Sequence, residues 1–306
     1  MPYQGEIFAL ATALCWAGSS TSFAYASRAV GGLPVNHFRL FAAVPVLALL
    51  AWLLTGQWWP SHVADERVLL LLASGLVGLV LGDIGFFHAL AVLGPRVSSV
   101  VMSCWPALTV LIEVVRGHVP GIWVVLGILT TAFGVALVLL RSREGTSWNP
   151  HMTRRQWTTG LAGALLGALG QAAGVVLARA AMAQGADLPA GILPLQATVV
   201  RMTAAAVGMQ CVALAHRRPL AWTAVFRDRR VVGAALFGAG FGPILGVWLS
   251  MAATHHANDV SVAASLMATT PIFLMPISMW LYRARIGWLG GIGTVVAVVG
   301  AALSCS

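Results

Sequence analysis

Lysine is absent from this sequence and acids are scarce: all 18 basic residues are arginine, set against nine Asp and Glu. Charged residues make up 9% of the chain, where a soluble domain carries about 25%. That shortage excludes a water-facing globule, because too little polar surface is left to solvate one. Cysteine is sparse as well. Cys15, Cys104, Cys211 and Cys305 fall in apolar stretches without CxxC spacing, which argues against a disulfide framework and a zinc site. There is no alternating ten-residue pattern of the kind a membrane β-barrel needs. The arginines are scattered through short loops rather than along one element, so nucleic acid is not an expected partner. No basic stretch precedes the first apolar run, and no cleavable leader is expected.

What remains is apolar: 59% hydrophobic residues and a mean hydropathy of +0.87. A spanning helix needs roughly 20 apolar residues, so the chain has room for about ten and little else. Apolar runs lie near 5–27, 35–54, 68–91, 97–116 and 121–140, then near 157–182, 191–215, 231–253, 260–282 and 286–304. Lipid offers backbone groups no partner outside their own segment, so these runs predict an all-α integral membrane protein of ten helices. The hydrophilic stretch Arg141–Gln156 divides them. The expected organisation is a first five-helix repeat over 1–141, a polar linker over 142–156 and a second repeat over 157–306. Five spans per half turn the second half upside down relative to the first. Such inverted repeats build a site at mid-membrane that opens to alternate sides.

The halves echo one another in order. GLVLGDIGFF (Gly78–Phe87) is similar to GPILGVWLSM (Gly242–Met251), Pro106 matches Pro271, Trp123 matches Trp288, and Arg39 and Arg201 both sit early in a second helix. Glycines 160, 163, 167, 170 and 174 share one helical face, as do Gly75, Gly78, Gly82 and Gly85, and Gly238, Gly242 and Gly246. Small faces of this kind let helices approach closely in lipid.

Ionisable groups at membrane depth are costly, which makes them candidates for function. Arg39 and Arg201 either snorkel to the interface or attract an anionic or zwitterionic substrate from a cavity. Asp83 and Glu113 are the candidates for proton coupling, with an interfacial pair to Arg116 as the plain alternative for Glu113. Neither acid has an acidic counterpart in the second half. His88 stands five residues beyond Asp83, about 140° around the helix, and is a candidate lining residue. Pro106 and Pro271, near the middle of the fourth span of each half, predict helix breaks. Trp16, Trp105, Trp248 and Trp280 fall within spans, with Trp105 and Trp248 the candidates for substrate contact. Trp58, Trp59, Trp148, Trp157, Trp222 and Trp288 fall near span ends and read as an interfacial belt. His255, His256 and Asp259 lack a further ligand cluster, so no metal and no cofactor are expected.

The two five-helix halves, Arg39 and Arg201, the paired prolines and the fifth-helix pattern GILTTAFGV (Gly127–Val135) together resemble the drug/metabolite transporter superfamily, in particular EamA-type ten-helix exporters. The resemblance implies a basket-like bundle around a central cavity, with amino acids, metabolites or toxic small molecules as substrates. Such proteins often carry a Gly-Glu pair before the fifth helix of each half; here the places read Gly117-His118 and Arg283-Ala284.

The expected activity is therefore secondary transport, with export of a small metabolite, amino acid or drug-like compound by alternating access. The expected partners are the lipid bilayer and a small-molecule substrate, with either protons as the coupling ion or facilitated diffusion without one, and with the protein a monomer or a homodimer. An integral-membrane enzyme acting on lipid-linked substrates and a non-transporting receptor are the alternatives; the enzyme would need a cluster of acids, histidines or a nucleophile–base pair that the sequence does not offer. One set of loops holds 13 arginines and the opposite set three. The positive-inside rule puts the rich side in the cytoplasm of a cell inner membrane, with both termini outside, whereas relatives of this type usually have both inside.

Overall fold

The computed structural model describes residues 3–61, 65–115, 121–142, 148–149, 151–182, 192–256, 263, 266–282 and 287–303. Long helices dominate. The first two are α1 (Gln4–Val30) and α2 (Gly32–Thr55), joined through Gly31. A long rod follows: α3 (Asp65–Gly75), a π-helical turn π1 (Leu76–Gly82) and α4 (Asp83–Met102). Next come α5 (Trp105–Val115) and α6 (Ile122–Ser142). The second half starts with α7 (Arg154–Met182) and α8 (Pro194–Ala215), followed by a short 3-10 helix (Ala221–Arg227). A second rod combines α9 (Arg229–Ala239), π2 (Gly240–Gly246) and α10 (Val247–His256), and the described helices close with α11 (Thr270–Tyr282) and α12 (Trp288–Leu303). Among the described residues six stretches are long and apolar enough to cross a membrane: 4–30, 32–55, 65–102, 154–182, 194–215 and 229–256, with shorter apolar helices beside them. Many hydroxyls within the spans bond to their own helix; Thr12 donates to the Phe8 carbonyl at 2.7 Å and Thr21 to that of Ala17 at 2.9 Å, the back-bonding that lets Thr sit in an apolar helix.

The boundary between the runs near 68–91 and 97–116 is a glycine turn. The helical backbone is interrupted by a kink at Gly94 (φ 81°, ψ 170°), a conformation that only glycine adopts readily, and Pro95 restarts the helix in the position proline tolerates. Helix breaks lie just ahead of the two prolines in the fourth spans. In the first half the helix breaks at Ser103-Cys104, and Pro106 is the second residue of α5; in the second half Ala268-Thr269 form the break, and Pro271 is the second residue of α11. Proline lacks the N–H that a first turn does not use, so each marks a fresh helix start rather than a kink within one.

The packing repeats across the halves. α7 runs along π1 and α4, and correspondingly α1 runs along α9, π2 and α10; α2 packs on α8, α6 on α12, α5 on α7 and α11 on α1. The glycine faces explain the first pairing. A methyl group at Gly163 would stand 2.5 Å from the Gly85 carbonyl oxygen, and one at Gly85 equally close to that of Gly163, while Gly170 lies against Gly82. Backbones in direct contact gain dispersion energy over a long seam, which is what holds helices together in lipid. In the second half Gly238 and Gly242 instead take the ring of Phe23, and Gly246 takes Trp16.

Candidate functional site

Arg39 comes from α2, in a row with Asn36 that places the two side chains one turn apart. Its Nε–H donates to Asn36 Oδ1 at 2.7 Å, and its Nη2 forms an ion pair with Asp83 Oδ2. The guanidinium lies over the rings of Phe87 and Phe23, 4.9 and 5.9 Å from their centroids, within cation–π range. Asp83 is the first residue after π1. π-turns interrupt regular pairing and occur often at functional sites. π2 recurs at the equivalent place, so that Gly78 and Gly82 correspond to Gly242 and Gly246, and Asp83 corresponds to Val247.

These side chains border a cavity of about 90 Å³, room for several water molecules. Arg39, Asp83, Trp105 and Pro271 line it together with Val247. Both π-turns contribute (Leu79, Gly242), and so do both helix breaks (Ser103, Ala268). Arg39, Asp83 and Trp105 lie roughly 12–17 Å along their helices from the Gly31 and Gly94 turns, about half the thickness of a 30 Å hydrocarbon layer. The walls combine a cation–carboxylate pair, aromatic faces and hydroxyls, which suits an amphiphilic small molecule.

Arg201 projects from α8 and is 1% exposed. Its Nη1–H donates to Met251 Sδ at 3.2 Å, and its Nε has no partner among the described residues. It lies near enough to Asp83 to act on it electrostatically, in the space left by Gly78 and Gly174. Neither arginine snorkels to an interface; both are buried.

Three residues expected at the site stand elsewhere. His88 is exposed on the outer side of α4, its Nε2 3.3 Å from Thr159 Oγ1 of α7. Its 140° offset from Asp83 turns it away from the cavity. Trp248, one residue past Val247, packs against the apolar cluster of α2 and α8 that contains Leu40 and Met202. Pro106 is not among the lining residues, whereas its counterpart Pro271 is. Glu113 is eight residues beyond Trp105 on α5, about 12 Å along the helix, and its side chain lies outside the described residues, as do Arg116 and Asp259. Trp148 is not at a lipid interface: it is buried, its Nε1–H donates to the Ala91 carbonyl at 3.1 Å, and Arg28 lies over its ring.

Sequence reasoning missed several lining residues: Ser19, Ser20, Phe23, Phe87 and Gln171. The Ser and Phe positions read as ordinary packing within an apolar span. Asn36, three residues before Arg39, was the one local signal of a supported guanidinium.

The family model of the EamA-like transporter family matches the chain twice, over residues 3–140 and 158–306. No curated protein matches the chain. A solved structure titled only as the crystal structure of a protein shares the fold, with 18% identity, a TM-score of 0.66, and coverage of 99% of this chain and 96% of that one.

Proposed function

The chain belongs to the EamA-like transporter family, and from this premise we propose that it is a secondary transporter exporting a small metabolite, amino acid or drug-like compound by alternating access through the central cavity. The observation that carries this reading is the convergence of both halves on one cavity: each supplies a π-turn and a helix break to its wall. Such interruptions are tolerated at membrane depth where they line a cavity, and they are where a helix bends at least cost. Rocking of one half against the other would then open the Arg39–Asp83 pair first to one side and then to the other.

The finer parts of the proposal follow. Arg39 and Arg201 supply the positive field, Trp105 a stacking face, and Asp83 the carboxylate through which a proton gradient would drive export. The protein sits in a cell inner membrane with its arginine-rich loops in the cytoplasm and both termini outside.

Flux of candidate metabolites into proteoliposomes tests the reading. Saturable uptake is expected, faster under an imposed pH gradient, with the gradient dependence lost in Asp83→Asn. Turnover of a lipid with no flux of any compound would favour a membrane enzyme instead. An impermeant label reaching an amino-terminal tag in intact cells checks the orientation; a tag that labels only after permeabilisation contradicts it.

A further inference from the structure

Two buried guanidinium groups share one carboxylate here. Arg39 pairs with Asp83, and Arg201, fully enclosed, faces a thioether and carries an Nε with no partner among the described residues. Among the described residues Asp83 is the only acid on the cavity wall, so the cluster holds a surplus of one positive charge. Burying an uncompensated charge is strongly unfavourable, and a thioether is a weak acceptor. The cluster is complete only when one further negative charge enters.

We propose that the Arg39–Asp83–Arg201 cluster is a carboxylate-binding site, and that the substrate is a small monocarboxylate with an apolar or aromatic body and a net charge of −1. The inference rests on the transport reading and narrows its substrate. The substrate carboxylate takes the Arg39 fork, which matches its planar geometry. Asp83, displaced from Arg39, turns to the open Nε of Arg201. Two neutral pairs result, Arg39 with substrate and Arg201 with Asp83, and no bond other than hydrogen bonds is made or broken. A phosphate monoester brings close to two negative charges and overshoots this balance. A zwitterionic amino acid brings none, and leaves the surplus cation buried. The substrate's body meets Trp16, Phe23, Phe87 and Trp105, and the hydroxyls of Ser19 and Ser103 serve a polar substituent.

The test is ligand-induced thermal stabilisation of the purified full-length protein at pH 7.5, with 3-phenylpropanoate, 3-phenylpropanamide and phenylalanine as probes. 3-Phenylpropanoate is expected to raise Tm with an apparent Kd at least about tenfold below those of the amide and the amino acid, the size of effect expected for a charge-assisted hydrogen bond. Arg201→Met, which removes the surplus cation while keeping a long side chain, is expected to bring the carboxylate-to-amide ratio within about twofold. Asp83→Asn adds a second surplus charge, and is expected to tighten 3-phenylpropanoate binding even as the ligand-free Tm falls. A residue that only shaped the fold would weaken all three probes alike. Equal binding of the amide or of phenylalanine by the unaltered protein overturns the assignment. So does a carboxylate preference that survives in Arg201→Met, or stabilisation by none of the probes. Flux of an uncharged or zwitterionic compound in proteoliposomes would at the same time leave the transport reading standing.

Discussion

At the scale of the residue, the Arg39–Asp83 pair matters most. Each partner is enclosed, with side-chain exposures of 6% and 13%, so removing one leaves the other uncompensated. Breaking a buried pair from one side costs about 3–5 kcal/mol, whereas replacing both partners by apolar groups is often neutral or stabilising. Asp83→Ala is therefore expected to lower Tm sharply in detergent, and the double variant Arg39→Met with Asp83→Leu to recover most of that loss. Stability measured around the double-mutant cycle checks this; additive losses would mean that the two side chains act independently. This pair was within reach of the sequence, because a charge in an apolar run stands out against its surroundings. The placement of His88 and Trp248 was not. Helical spacing fixes the angle between Asp83 and His88, and between Val247 and Trp248, but not which face meets the cavity until α7, α2 and α8 are in place. Phe23 and Phe87 were hidden for the opposite reason: an aromatic that stacks on a guanidinium is indistinguishable in sequence from one that packs on lipid.

At the scale of the element, the seam between α4 and α7 is a contact of bare backbones. Gly85 and Gly163 face each other with no room for a methyl group on either side. Gly85→Val and Gly163→Val are expected to separate the helices and lower Tm by several degrees or prevent assembly, as overpacking of a close contact does. Gly233, in α9, is the control: nothing lies within 4 Å of where its side chain would be, and Gly233→Ala is expected to be neutral or stabilising by up to about 1 kcal/mol. Equal destabilisation at all three positions would remove the seam from the account. The stripes were legible as a 3-4 glycine spacing at residues 160 to 174. Their partners were not, since spacing shows that a face is small without showing what approaches it. The π-turns were likewise unreadable. LVGLVLG and GFGPILG are ordinary apolar runs, and only their recurrence before Asp83 and Val247 hinted that the two places share a geometry. The turn at Gly94 was legible as the gap between the runs ending near 91 and starting near 97, but its tightness, a single glycine closed by Pro95, was not.

At the scale of the whole molecule, the two halves are built alike but carry unlike chemistry. The contact plan repeats, with α7 on π1 and α4 matched by α1 on α9, π2 and α10. Asp83, however, has Val247 as its counterpart, and both arginines act electrostatically on the first half's carboxylate. On the proposed mechanism a symmetric scaffold would supply the motion and an asymmetric cluster the recognition. The scaffold was legible because duplication leaves an ordered echo along the chain; the asymmetry showed only as a missing acid. The central claim is that one cavity faces both sides of the membrane in turn. Labelling of Ser103→Cys by a membrane-impermeant maleimide, in a protein whose four native cysteines are replaced by serine or alanine, tests it most directly. Ser103 lines the cavity beside the helix break. The account predicts labelling from either side of the membrane, with substrate slowing it from one side and speeding it from the other. Labelling from one side alone, whether or not substrate is present, would contradict it.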